Sequence, residues 1–89
     1  MGGKLGIRMI YQPLESQGVY RLPIYMCTAY LYDINSYNSS ALLEKNYADL
    51  TIINDKLKGY YKVLATSDYL EIKNTGGSAS IVRLIVLGA

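Results

Sequence analysis

Seven carboxylates, one thiol and no histidine make up most of the reactive inventory of this 89-residue chain. Without an imidazole there is no general base that titrates near neutral pH, so the Ser-His-Asp and Cys-His arrangements are excluded. Glu15, Asp33, Glu44, Asp49, Asp55, Asp68 and Glu71 fall in turns and at outward strand positions. Asp68 and Glu71 are close enough to meet across a turn, where a solvated pair is the plain expectation. A single cysteine excludes an intrachain disulfide and, with no histidine beside it, a His/Cys metal cluster. Cys27 stands inside an apolar run and reads as a small buried hydrophobe. Thr75-Gly76-Gly77-Ser78 lacks both the following lysine and the strand-to-helix setting of a phosphate loop. The inventory points away from an enzyme and asks for no cofactor and no metal.

Nine Lys and Arg against seven Asp and Glu give a net charge of +2, ordinary for a small domain and too weak to imply nucleic acid. The basic residues are scattered; only Lys56, Lys58 and Lys62 cluster, beside Asp55, as a solvated turn. Ten tyrosines with no phenylalanine or tryptophan are the unusual feature. A tyrosine ring buries area while its hydroxyl still needs a partner or water, which favours half-exposed sheet faces and interfaces. No charged segment followed by an apolar one opens the chain, and no apolar run is long enough to span a membrane, so no membrane segment is expected.

The elements that would carry these residues are strands. Residues 69–73 put Leu70 and Ile72 on one face and Tyr69, Glu71 and Lys73 on the other. Residues 80–87 put Val82, Leu84 and Val86 on one face and Ile81, Arg83, Ile85 and Leu87 on the other. Both faces of that last strand are largely apolar, so it asks for cover on both sides. The intervening 74–78 turn predicts that the two pair as a hairpin. A further strand at 60–66 leads into them, with Tyr61, Val63 and Ala65 on one face.

Earlier in the chain, residues 4–11 read as a strand with Leu5, Ile7, Met9 and Tyr11 on one face, Arg8 opposite, and Gly6 as a bulge or close contact. Pro13 predicts a loop over 12–18. Pro23 marks either an edge strand or a bend between 19–22 and 24–34, and Tyr30 and Tyr32 form a surface stripe on the second piece. The polar 33–40 run reads as a loop. Ser39 or Ser40 is placed to cap a short helix at 41–48, with an irregular or extended segment as the alternative. Residues 50–53 complete a set of six or seven strands. The fold expected is all-β, a single domain over 1–89 built as a small two-sheet sandwich or jelly-roll-like unit; a small barrel and a mixed α+β domain are the alternatives.

The 69–87 stretch, and a composition rich in Tyr, Asn, Ser and Ile with sparse charge, resembles the closing hairpin and make-up of β-sandwich modules in virion structural proteins. That resemblance implies a symmetric assembly and a virion setting, and carries no functional residue with it. Self-assembly also follows from the residues: a small domain buries little on folding, so association is a direct route to added stability. The expected function is a structural protein that contacts copies of itself or a larger structural protein through Tyr30, Tyr32, Tyr60, Ile81, Arg83, Ile85 and Leu87. The alternative is nucleic-acid or carbohydrate binding on a tyrosine face.

Overall fold

The computed structural model describes residues 6–57 and 59–88, and at residues 36–38 the backbone alone. The sequence readings at residues 1–5, including the start of the first strand, and at Lys58 lie outside them. Eight strands occur: β1 (Gly6–Leu14), β2 (Val19–Pro23), β3 (Met26–Asp33), β4 (Ser36–Asn46), β5 (Asp49–Ile53), β6 (Tyr61–Ala65), β7 (Tyr69–Asn74) and β8 (Ser80–Gly88). One sheet has the order β1-β8-β3-β4-β5 and the other β2-β7-β6, and every pair is antiparallel. The all-β, two-sheet expectation holds.

The period-2 pattern decides what lies between the sheets. Val82, Leu84 and Val86 of β8, Leu31 of β3 and Leu43 of β4 are fully buried, and Ala29 nearly so; from the smaller sheet come Leu70, Ile72 and Leu22. Ile10, Tyr20, Leu50, Ile52 and Val63 flank this core as half-buried side chains. Cys27 is buried within it, as expected.

Several readings need correction. Residues 41–48 are not a helix: Ala41, Leu43 and Lys45 of β4 point inward while Glu44 and Asn46 point out, which is strand periodicity. The 33–40 loop shrinks to a turn at Ile34 and Asn35, after which β4 begins, with a register shift between Tyr32 and Asp33. Here the amide of Asn35 donates to Asp33 Oδ1 at 2.8 Å, an Asx turn that tightens the reversal. β4 is the strand that takes the count past the expected six or seven.

β1 does not stop at Pro13 but runs through it, Pro13 standing opposite Ile81. As an edge strand it tolerates a residue without an N–H. Gly6 is in regular register with Gly88 and has nothing near its missing Cβ, so it is neither a bulge nor a close contact. At Pro23 both readings were partly right: β2 is an edge strand, and the chain then bends into the other sheet, with the Ile24 amide donating to the Asp68 carbonyl at 3.2 Å.

The 74–78 turn does not close a hairpin. β7 and β8 lie in different sheets, and the turn between them is a crossover. The hairpin of the C-terminal third is β6–β7 instead.

Candidate protein-contact surface

One face of the five-stranded sheet is covered by the smaller sheet, and among the described residues nothing is packed over the outer face. Its central row runs across all five strands in register: Met9 opposite Ile85, Ile85 opposite Tyr30, Tyr30 opposite Leu42, and Leu42 opposite Ile53. Four of the five are exposed (Met9 63%, Tyr30 41%, Ile85 38%, Ile53 38%), with Leu42 half-buried among them. The row beside it reads Ile7, Leu87, Thr28, Glu44 and Thr51, with Ile7 74% and Leu87 44% exposed. On the other side stand Tyr11, Arg83, Tyr32 and Ser40. A solvated antiparallel sheet alternates apolar-in and polar-out; this one is apolar on both faces at its centre.

Arg83 does not break the apolar character as a free charge would. Its guanidinium lies over the Tyr11 ring, 5.6 Å from the centroid, and its Nη1 donates to the Tyr32 hydroxyl at 3.3 Å. The stem is thereby laid along the sheet between two tyrosines. Tyr30 and Tyr32 form the expected stripe, their rings 5.5 Å apart. Glu44 is the acidic counterpart, two positions along β4 from Leu42.

The outer face of the three-stranded sheet is different in kind. There Arg21 Nε meets Glu71 Oε1 at 2.8 Å while its Cζ lies 5.0 Å from the Tyr69 ring centre, an arrangement that raises the Arg21 pKa, chiefly through the Glu71 hydrogen bond. Lys62 and Lys73 stand opposite each other beside this pair. Glu71 therefore pairs with Arg21, and not with Asp68. Alternation of the ordinary kind holds here, with Leu70 and Ile72 inside and Glu71 and Lys73 outside.

Of the seven candidate residues, Tyr30, Tyr32, Ile81, Arg83, Ile85 and Leu87 share the outer face of the large sheet. Tyr60 does not join them. It sits in the turn before β6, its carbonyl accepting from the Thr75 amide at 2.9 Å, and lines a cavity of about 230 Å³ at one end of the sandwich. Ile7, Met9, Tyr11, Leu42 and Ile53 belong to the face and were not among the sequence candidates. Alternation in β1 and β5 was the available signal; which side of the sheet they occupy was not.

Neither β3 nor the 41–48 segment lies over the outer face of β8. β3 is its neighbour in the same sheet, and the 41–48 segment is the next strand along.

The end cavity is built on a polar chain that holds the sheets together. The Tyr61 hydroxyl is 2.8 Å from Asp33 Oδ2 and 2.5 Å from Ser80 Oγ. A carboxylate only accepts, so the phenolic proton goes to Asp33 and the Ser80 hydroxyl donates to the Tyr61 oxygen. Asn74 Nδ2 reaches Ser80 Oγ at 3.2 Å, the Ser78 carbonyl at 2.9 Å and the Leu14 carbonyl at 3.2 Å, and its Oδ1 accepts from the Gly76 amide at 2.9 Å. Burial pushes the Tyr61 pKa up to about 12. These groups are committed to one another, which makes the cavity a structural joint. At the opposite end Lys45, 3% exposed, donates from Nζ to the Tyr25 carbonyl at 2.9 Å, and desolvation lowers its pKa. The adjacent Cys27 thiol has its pKa raised by burial, so it is not activated.

Among the described residues no group of three or more His, Cys, Asp or Glu side chains is placed to hold a metal ion, and no helix is long and apolar enough to cross a membrane. Comparison with protein-family models, with curated proteins and with solved structures finds no match to this chain.

Proposed function

We propose that this chain is a non-enzymatic structural protein that assembles with copies of itself through the outer face of its five-stranded sheet. The observation that carries the reading is the Met9–Ile85–Tyr30–Leu42–Ile53 row, an apolar band across the full width of a sheet whose other face already forms the core. Contiguous exposed apolar surface of this extent marks an interaction site. The composition resembles that of virion structural proteins, and a particle of many copies is the setting it suggests. The closing-hairpin half of that resemblance has no support, since β7 and β8 lie in different sheets.

The tyrosine face is a poorer fit to nucleic acid. Among the described residues, Glu44 and Asp49 stand on the same side of the sheet as Arg83 and Lys56, so acidic groups interrupt any run of cations along which a phosphate backbone could lie.

Sedimentation of the purified chain from micromolar to millimolar concentration tests the proposal, with circular dichroism to verify folding. The expected result is an associating wild type, a monomeric Ile85→Asp variant, and association retained in Leu64→Asp on the other sheet. A wild type that stays monomeric throughout overturns self-assembly, and association abolished by Leu64→Asp but not by Ile85→Asp overturns the assignment of the face. An oligonucleotide gel shift at low salt would favour the nucleic-acid reading instead.

A further inference from the structure

The outer face is self-complementary about one diagonal. Tyr30 occupies its centre. Glu44 lies one strand to one side and two residues along; Arg83 lies one strand to the other side and two residues along in the opposite direction, because Glu44 is opposite Thr28 and Arg83 is opposite Tyr32. With strands ~4.8 Å apart and outward side chains ~6.8 Å apart along a strand, each charge is about 8 Å from Tyr30, on a single line through it. The perpendicular to that line, drawn in the plane of the sheet through Tyr30, runs to Ile7 on the edge strand.

We infer that the partner on this face is a second copy of the chain, related by a two-fold axis along the Ile7–Tyr30 diagonal. This rests on the outer-face assembly proposed above and specifies its geometry. A rotation about that axis sets Tyr30 on the partner's Tyr30 and Ile7 on the partner's Ile7. It brings Met9 onto the partner's Leu87 and Arg83 onto the partner's Glu44, each contact occurring twice, as an isologous interface requires.

Charge complementarity singles out this copy-to-copy contact. Among the described residues the ion pair present is Arg21–Glu71, on the other sheet, so neither Glu44 nor Arg83 is paired with an opposite charge among them. The mirrored position supplies it. Arg83 is already laid flat by Tyr11 and Tyr32, which limits the ordering cost of the cross-pair.

The area is adequate. Among the described residues, four outward side chains on each of β1, β8, β3 and β4 and three on β5, at ~4.8 by ~6.8 Å each, cover about 620 Å² in projection and more as accessible surface, comparable with the ~800 Å² per partner of a standard interface. The strands of the two copies would cross at about 70°, closer to orthogonal than to aligned sheet packing.

Charge exchange tests the arrangement on the full chain. Glu44→Lys and Arg83→Glu should each weaken the dimer about tenfold or more, and the double variant should recover most of the loss because the pair is re-formed with reversed sign. In a Cys27→Ala background, Tyr30→Cys should be cross-linked to its copy by a short bis-maleimide, which spans the ~10 Å between facing sheets that a disulfide cannot, a readout that does not depend on the charge variants folding well. Rescue together with cross-linking supports the two-fold geometry. An associating wild type with neither rescue nor cross-link overturns it while leaving the outer face as the contact surface, and a monomeric wild type overturns both.

Discussion

Replacing Tyr61 by phenylalanine tests the claim that the two sheets are joined at one end by a polar chain. The ring stays, so apolar packing is nearly conserved, and the hydroxyl goes. What is lost is the 2.8 Å bond to Asp33 Oδ2 and the 2.5 Å contact with Ser80. Ser80 keeps Asn74 Nδ2 as a neighbour, but Asp33 is only 8% exposed, so its oxygen has little access to water in exchange. A hydrogen bond to a charged group contributes ~1.5–3 kcal/mol, and stranding a buried acceptor adds to the cost. The expected loss is therefore about 2–3 kcal/mol, or roughly 10–20 °C in Tm for a domain of this size.

Urea and thermal unfolding followed by circular dichroism would measure it. The alkaline limb supplies an independent check: the Tyr61 proton is held to about 12 in the folded chain against 10.0 as the ordinary value. Between those limits the unfolded chain has released the proton and the folded chain has kept it, so this contribution is whole below pH 10 and is lost as pH rises. Tyr61→Phe should flatten that part of the wild-type decline. A stability change under about 0.5 kcal/mol, with an unaltered alkaline limb, would refute the idea that the joint holds the sheets.

Lys45→Met should leave stability unchanged or raise it by up to about 1 kcal/mol in urea unfolding, because the Tyr25 carbonyl that takes the Lys45 proton also accepts the Tyr47 amide at 2.9 Å and so remains satisfied, while the desolvation of an ammonium is relieved. Its lowered pKa means that the folded chain holds this proton less tightly, so the wild type should gain stability as pH rises towards 10.5 and Lys45→Met should lack that gain. Gly88→Ala should cost about 1–3 kcal/mol, since a Cβ there would sit 2.4 Å from the Met26 carbonyl oxygen and 2.7 Å from Cys27 Cβ. Gly6→Ala, opposite Gly88 in register but with nothing within 4 Å, is the matched control, and thermal unfolding should show it near wild type.

Sequence pattern was most readable where alternation was uninterrupted. Leu70 and Ile72 against Tyr69, Glu71 and Lys73 left one reading, and β7 has that orientation. β4 was misread because Ala41-Leu42-Leu43 fits a helix and a strand equally, and because the third inward position is a lysine. Lys45 is tolerated there by reaching the Tyr25 carbonyl, a partner 20 residues away that no local pattern announces. Asn74-Thr75-Gly76-Gly77-Ser78 was correctly a turn, but turn chemistry does not say whether the flanking strands pair. The Asn74 side chain, bonded to Leu14, Ser78 and Ser80, belongs to a crossover. The same limit applies to the surface: Ile81, Ile85 and Leu87 were legible as a second apolar face of β8, whereas Ile7 and Met9 join it only through the antiparallel register of β1 with β8.

The contrast between the two outer faces is what ties the fold to a role. Both belong to antiparallel sheets of one chain, packed on one core, so the architecture alone would let both be polar. β7 follows that rule, turning Glu71 and Lys73 outward, and β8 departs from it, exposing Ile85 and Leu87. Full burial of an aliphatic side chain contributes about 1.5–3 kcal/mol; scaled by the exposures of Ile7, Met9, Ile85 and Leu87 (74%, 63%, 38% and 44%), covering them in two copies yields a gross term of ~7–13 kcal/mol, of the same size as the cost of association. The folded monomer draws little on these four side chains. In the proposed assembly, their apolar character has its main consequence outside the monomer.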